Sequence, residues 1–167
     1  MKERKPWGPF LLKAAMIAIA FIVLFSWIES NYRIGIDSQA IRCLPDHKYY
    51  LVDLSDKAVH RDTIMAYESK GLQPYYEDGT VMAKYVKAIP GDSVRIDVDG
   101  VFVNDELVAE GFALSQRLGS DESTFYRSFT VPPGHYLMLA PAPESYDGRY
   151  WGLIEEDQIV GSVIPLM

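Results

Sequence analysis

The sequence predicts a mainly β fold with one N-terminal transmembrane helix and one short helix. Two observations carry this prediction. A single long apolar run lies near the N-terminus, and the chain after it consists of short stretches rich in Val, Ile and Tyr, separated by Pro, Gly and Asp turn signals. With 167 residues, 49% of them hydrophobic and 23% charged, the composition is that of one folded domain and not of a disordered chain.

The apolar run covers residues 10–28 and reads FLLKAAMIAIAFIVLFSWI. It is about long enough to cross a hydrocarbon core of roughly 30 Å. The only charge within it, Lys13, lies one turn inside one end, where a long side chain can reach the lipid headgroups. The run therefore predicts an anchor in the lipid bilayer. A cleaved secretory signal is the alternative, but the apolar core of such signals has roughly 7–15 residues, and a small-x-small cleavage site is lacking after this run.

The charges on either side of the run set its expected orientation. A basic segment precedes the run, whereas residues 30–167 carry 12 basic and 21 acidic residues. Positively charged flanks stay on the cytoplasmic side of a membrane. We therefore expect residues 1–9 to be a cytoplasmic tail and residues 29–167 to form the extracytoplasmic domain of a single-pass membrane protein.

One hairpin and one helix are predicted within the body of the chain. Residues 94–98 and 101–104 alternate apolar and polar side chains around Asp99-Gly100, a two-residue turn typical of hairpins. A short helix is predicted over residues 61–70, with Gly71 as its C-terminal stop.

Charge and cysteine content exclude several classes of function. The net charge of −7 argues against a nucleic-acid partner, because phosphate binding needs a surplus of Lys and Arg. The single cysteine, Cys43, cannot form an internal disulfide and is interpreted as a packing residue. Cys43, His47, His60 and His135 do not have the spacing of metal ligands. We therefore expect neither a metal nor a cofactor.

Three segments place Ser and Lys in constrained settings, which suits a nucleophile activated by a neighbouring base. Ser38 follows the anchor by ten residues. Lys84 lies in a predicted strand that ends in the Pro-Gly-Asp turn of residues 90–92. The third segment, residues 145–152, reads SYDGRYWG.

In this order and behind one anchor, the three segments resemble the signal peptidase I (S26) family of Ser-Lys endopeptidases. In that family a Ser follows the anchor, a Lys lies six residues before the Pro of a Pro-Gly-Asp turn, and a late segment reads Ser-x-Asp-Ser-Arg-Tyr-Trp-Gly. Lys84 has this spacing, and residues 145–152 depart from the late segment only at Gly148. The resemblance covers most of the chain and implies a signal-peptidase-like β fold.

The resemblance also implies roles for five residues. Ser38 would be the nucleophile, and Lys84 would be the general base that takes the hydroxyl proton and passes it to the leaving amine. Ser145 would orient the lysine. Asp147 and Arg149 would form an ion pair that supports the site without taking part in the chemistry.

Two departures favour one branch of the family. The chain has Ile36-Asp37-Ser38-Gln39 where most members have Ser-Gly-Ser-Met, so backbone N–H groups would have to stabilise the oxyanion. Residues 140–144, APAPE, replace an expected Gly-Asp-Asn-Arg. With the small size and the single anchor, these departures look like the conjugation-associated, TraF-type peptidases. That likeness implies a membrane-inserted pilin precursor as partner, cleaved after small residues, and both hydrolysis and ring closure stay open.

Other interpretations also stay open from the sequence. The chain could serve as a general signal peptidase I for secreted preproteins, or as an anchored assembly factor without catalytic activity. A self-cleaving regulator is disfavoured by the membrane anchor. A Ser-His-Asp triad built on His60 or His135 is a further alternative, although His135 follows a Pro-Pro-Gly turn that is typical of the surface.

Overall fold

The computed structural model describes residues 7–37, 42–44 and 47–166 of the chain. Its N-terminal element, α1 (Gly8–Asn31), has no residue buried against the rest of the protein. By length and composition this helix can cross a membrane. α1 contains the predicted span of residues 10–28 and continues past both of its ends, and β1 (Tyr32–Ile36) follows it directly.

The body consists mainly of antiparallel strands. After β1, the described residues form β2 (Tyr49–Asp53), β3 (Ile64–Glu68), β4 (Val81–Ala88), β5 (Ser93–Asp97), β6 (Gly100–Val103), β7 (Glu106–Ala109), β8 (Arg127–Thr130), β9 (His135–Leu139), α2 (Gly148–Trp151), β10 (Leu153–Glu155) and β11 (Ile159–Pro165). The prediction of a mainly β body with one long apolar helix and one short helix is confirmed.

The strands form two sheets, and β4 is an interior strand of the larger one. The larger sheet has the order β1-β2-β11-β3-β4-β9-β10, and the smaller sheet has the order β7-β6-β5-β8. β4 pairs with β3 from Val81 to Tyr85, but it pairs with β9 only from Tyr85 onward. Among the strands that the structure describes, the first half of β4 is therefore paired on one side only.

The short helix predicted over residues 61–70 is wrong, because β3 occupies the middle of this segment. β3 lies between β11 and β4, and four of its five residues are buried. A continuous apolar run of this kind suits a strand that is covered on both faces. The pairing with two neighbouring strands overrides the local helix signals, and the short helix of the fold is α2 instead.

The predicted hairpin exists as β5 and β6, but its turn begins one residue earlier. Asp97 is paired with Gly100, so Val98 and Asp99 form the loop. Gly100 has a φ of +136°, and a Cβ there would overlap the carbonyl oxygen of Ala109 on β7. The glycine is therefore required by the close approach of the next strand as well as by the turn.

Apolar clusters join the two sheets and cover both faces of the larger one. Ile96 of the smaller sheet packs in one cluster with Leu139 of β9 and Tyr150 of α2. A second cluster contains Met65, and a third contains Ala66, the next residue along β3. Because successive strand residues point to opposite faces, the central strands are packed on both sides.

We expect Gly161→Ala to destabilise the fold. Gly161 lies in β11, and a Cβ there would overlap the carbonyl oxygen of Asp53 in β2. Overpacking of this kind lowers the free energy of unfolding by about 1–3 kcal/mol. The measurement is thermal unfolding of the full chain in detergent, followed by circular dichroism. The control is Gly35→Ala, whose Cβ would make an ordinary 3.7 Å contact with Tyr50, and equal losses in the two variants would contradict the prediction.

Candidate active site

Lys84 is a buried lysine in the half-paired part of β4. It lies opposite Met65 of β3, so the two side chains share one face of the sheet. Only 1% of Lys84 is exposed, and its Nζ donates a hydrogen bond to Ser145 Oγ over 2.7 Å. Lys87, three residues later, points to the other face and pairs with Asp62.

Lys84 has no carboxylate partner among the described residues, unlike Arg149, which is also buried but pairs with Asp147. None of the ion pairs among the described residues involves Lys84. Its described polar contacts are the Ser145 hydroxyl and the Cys43 thiol, whose Sγ lies 3.4 Å from Nζ. Both groups can exchange a proton with an amine, which is what a general base requires.

Ser145 lies in the loop between β9 and α2. It is 1% exposed, and its backbone N–H donates to the Ala142 carbonyl over 3.0 Å in a tight turn. Two residues later, Asp147 caps α2 by accepting a hydrogen bond from the backbone N–H of Arg149. The turn and the cap fix this loop on both sides of the serine.

Arg149 holds the same loop against the body. It is 1% exposed and forms a two-pronged ion pair with the fully buried Asp147, with distances of 2.9 Å from Nε and 3.0 Å from the second terminal nitrogen. Its guanidinium also donates to the carbonyls of Ala140, Glu110 and Gly111. The pair predicted from the sequence is therefore present, and it ties the serine loop to the segment after β7.

The backbone of α2 is fixed from its other side by Arg127 of β8. Arg127 donates to the carbonyl of Gly148 over 2.8 Å and to that of Arg149 over 3.2 Å, and burial lowers the pKa of the Arg127 guanidinium. Gly148 has no room for a side chain, because a Cβ would lie 2.7 Å from Leu137 and 2.9 Å from the Met138 carbonyl. The departure from Ser to Gly at this position therefore lets α2 lie closely on β9.

The turn after β4 is held by Asp92. Its carboxylate accepts hydrogen bonds from Arg61 (2.7 Å), from Asn104 (2.8 Å) and from the backbone N–H of Ile89 (2.8 Å). Burial alone would raise the pKa of Asp92, but these hydrogen bonds outweigh it and the pKa is lowered. The Asp of the Pro-Gly-Asp turn thus anchors the end of the strand that carries Lys84.

A cleft of about 210 Å³ opens in front of Lys84. Gly35, Ile36 and Asp37 line one side, where β1 is the edge of the larger sheet. The other side is formed by the first half of β4, where strand pairing with β9 is missing. An extended peptide can therefore find unpaired backbone groups on both sides of the cleft.

The structure brings Lys84, Ser145, Asp147 and Arg149 together, whereas Ser38 lies among residues 38–41, outside the described residues. Asp37 directly precedes Ser38 and lines the cleft.

Cys43 is the residue whose position the sequence did not suggest. Its Sγ lines the cleft and lies 3.4 Å from both Lys84 Nζ and Ser145 Oγ. The signal that could have found it is its place in the same short segment as Ser38, between β1 and β2. The interpretation as a packing residue does not account for these contacts.

Comparison with known proteins identifies relatives over most of the chain. The family model "Signal peptidase, peptidase S26" matches residues 5–167. Signal peptidase IB of Staphylococcus aureus is 32% identical over 174 aligned positions, which cover 88% of this chain and 83% of that protein. A probable signal peptidase I-2 of Synechocystis is 29% identical over 79 residues, which are 47% of this chain and 34% of that protein. A crystal structure of a signal peptidase I from Enterococcus faecalis has a TM-score of 0.41 and 26% identity, and it covers 65% of this chain and 98% of its own.

We expect Arg149→Met to destabilise the fold strongly, because it leaves the Asp147 carboxylate buried without its cation. Breaking a buried pair in this way costs about 3–5 kcal/mol of unfolding free energy. The control is Lys70→Met, which removes an exposed ion pair with Glu155 of similar 2.7 Å length and is expected to change stability far less. Urea unfolding of the full chain in detergent measures both, and comparable effects would contradict the structural role of Arg149.

We expect Asp92→Asn to lower stability at neutral pH but not in acid. The folded pKa of Asp92 lies below the unfolded value of about 3.9. Its contribution is therefore complete above the unfolded pKa and is lost as the pH falls through the folded pKa. Unfolding free energies of wild type and variant, measured between pH 7 and pH 2, should converge in acid. A constant difference across this range would refute the assignment, and Asp99→Asn, in the exposed hairpin loop, is the control.

Proposed function

The chain belongs to the signal peptidase family S26, a family of serine endopeptidases, and we propose that it is a membrane-anchored endopeptidase in which Lys84 is the general base. The observation that carries this proposal is the 2.7 Å hydrogen bond between the buried Lys84 Nζ and Ser145 Oγ at the wall of the cleft. A nucleophile, a base and a third group that orients the base are the usual parts of such a site. Ser145 orients the lysine in this arrangement.

The nucleophile comes from the segment between β1 and β2. Ser38 is the nucleophile that the family resemblance proposes, and its support is its position next to Asp37 at the cleft. The nucleophile attacks the scissile carbonyl, Lys84 accepts its proton, and the protonated lysine then delivers that proton to the leaving amine. Water, or an amine of the substrate, then resolves the acyl-enzyme.

The substrate binds as an extended strand in the cleft. The unpaired edges of β1 and β4 can hydrogen-bond to its backbone, which gives affinity without selecting a sequence. The volume of about 210 Å³ suits small side chains next to the scissile bond. This fits the cleavage after small residues that the resemblance implies.

The anchor places the cleft near the bilayer. Asn31 ends α1, and Asp37 lies only six residues later at the cleft. Six residues span at most about 20–22 Å even when fully extended. We propose that α1 is a transmembrane anchor of the bacterial inner membrane, with residues 1–9 in the cytoplasm and the cleft on the periplasmic side. Its substrates are then precursors held in the same membrane.

A membrane-inserted pilin precursor of a conjugation system is the finer proposal. The departures Ile36-Asp37-Ser38-Gln39 and APAPE at residues 140–144 support this branch. A general signal peptidase for secreted preproteins is the second candidate, favoured by the similarity to signal peptidase IB of Staphylococcus aureus. An anchored assembly factor without activity is the outcome if the site proves inert.

We expect Lys84→Met to abolish processing, because the base is lost while a side chain of similar length remains. General-base catalysis contributes about 10²–10⁴-fold to the rate. The full chain is co-expressed either with the pilin-like precursor encoded nearest to its gene or with a model preprotein whose signal ends in Ala-x-Ala. The intact mass of the product reports cleavage, and a product lighter by one water than the linear chain reports ring closure.

The matched control is Lys87→Met, which removes a lysine from the same strand on the opposite face. Circular dichroism of both variants is the check that they fold like the wild type. Full processing by Lys84→Met, or equal losses in both variants, would refute the proposed site. A pilin-like precursor that is cleaved when the preprotein is not favours the conjugation branch, and the reverse favours a general signal peptidase.

A further inference from the structure

Cys43 has contacts that a packing residue does not need. Its Sγ is 3.4 Å from Lys84 Nζ and 3.4 Å from Ser145 Oγ, which closes a triangle with the 2.7 Å bond between those two groups. Both partners are 1% exposed, whereas Cys43 is partly exposed and lines the cleft. The thiol is thus the member of this triangle that a substrate can reach directly.

A buried hydroxyl on the face of the sheet that carries Lys84 also lacks a hydrogen-bond partner in the part of the chain that the structure describes. Tyr67 of β3 is fully buried, and its hydroxyl has no hydrogen-bond partner among the described residues. Burial raises its pKa well above the usual value, and the charges of Asp147 and Cys43 raise it further. Tyr67 follows Met65 by two residues, and Met65 lies opposite Lys84, so the side chains of Tyr67 and Lys84 share one face of the sheet. A polar group bound on this face would satisfy the buried hydroxyl.

We propose that Cys43 is the nucleophile that Lys84 activates, so that the site is a Cys-Lys dyad oriented by Ser145. This inference rests on the proposed endopeptidase function, and it changes the nucleophile from an oxygen to a sulfur. Ser38 then does not carry the acyl group.

The chemistry favours a thiol in this position. In water a cysteine thiol is a stronger acid than a lysine ammonium group by about two pKa units, so its proton passes readily to a neutral amine. A serine hydroxyl is a far weaker acid. The thiolate is also intrinsically a strong nucleophile. An amine base therefore removes the proton of the thiol 3.4 Å away more readily than it would remove the proton of a serine hydroxyl.

The reaction balances with water as the only co-reactant. Cys43 Sγ forms a bond to the scissile carbonyl carbon while its proton moves to Lys84 Nζ. The C–N bond then breaks, and the leaving amine takes that proton. Water attacks the resulting thioester and gives a proton to Lys84, the C–S bond breaks, and the proton returns to the Cys43 thiolate. The products are a carboxylic acid and an amine, and the enzyme is regenerated.

Thiol reactivity tests the dyad without any substrate. Cys43 is the only cysteine of the chain, so the mass of one carbamidomethyl group after iodoacetamide treatment reports on this side chain alone. If Lys84 activates the thiol, Lys84→Met should slow the alkylation of the full-length protein in detergent by roughly tenfold or more, whereas Lys87→Met should leave its rate unchanged. Equal alkylation rates in wild type and Lys84→Met would overturn the proposal.

Processing of the co-expressed precursor gives the second test. We expect Cys43→Ala to lose about 10²-fold or more of the activity and Cys43→Ser to retain a fraction of it. Ser55→Ala, which removes an exposed hydroxyl bonded to Asp53, is the control and should process the precursor at the wild-type rate. Loss of processing in Ser38→Ala with full activity in Cys43→Ala would overturn the thiol assignment but leave the proposed endopeptidase intact. Full processing in Lys84→Met would instead remove the proposed function itself.

The acyl-enzyme identifies the nucleophile directly. Trypsin cuts after Arg33, Arg42 and Lys48, which places Ser38 in the peptide of residues 34–42 and Cys43 in that of residues 43–48. After rapid acid quenching of the enzyme with precursor, the acyl group should be found on residues 43–48 and should be released by neutral hydroxylamine, as a thioester is. An acyl group on residues 34–42 would overturn the proposal.

Discussion

The hydrogen bond between Lys84 and Ser145 joins two parts of the chain that are 61 residues apart. Lys84 is placed by the register of β4 against β3, which is a property of the larger sheet. Ser145 is placed by a loop that leaves β9 and returns through α2. The site therefore exists only when the sheet and the loop are positioned independently to within the tolerance of one hydrogen bond. Much of the surrounding structure can be understood as a means of meeting that tolerance.

The ion pair of Asp147 and Arg149 is the main device on the side of the loop. Burying two charges is expensive, and a buried pair is often no more stabilising than apolar residues of the same volume. The contribution of the Asp147–Arg149 pair is to orient the loop. The Arg149 guanidinium donates to the Asp147 carboxylate through two nitrogens and also donates to three backbone carbonyls. These bonds fix the orientation of the loop as well as its distance from the body. An apolar contact would hold the loop as tightly but would allow it to slide.

The sequence predicts the parts of this protein that depend on local patterns. The anchor follows from length and apolarity, and the β5–β6 hairpin follows from alternation around Asp-Gly. The helix predicted over the segment of β3 is wrong, because the strand is fixed by pairing with β4 and with β11, and β11 lies far away in the chain. The pairing of Lys84 with Ser145 came from family resemblance and not from spacing. The contact of Cys43 with Lys84 does not follow from the sequence, because the segment between β1 and β2 is far along the chain from β4 and no local pattern encodes their approach.

The half-paired state of β4 links the fold to the chemistry. In the proposed mechanism β4 both carries the base and pairs with the substrate backbone. The register of the peptide along β4 would then set the distance from the scissile carbonyl to Lys84. In the proposed mechanism the nucleophile comes from the segment that follows β1. Whether the attacking atom is oxygen or sulfur changes the fate of the acyl group as well as its formation. A thioester yields to an amine more readily than an oxygen ester does, so a thiol nucleophile would let an amine of a tethered substrate compete better with water, which favours ring closure.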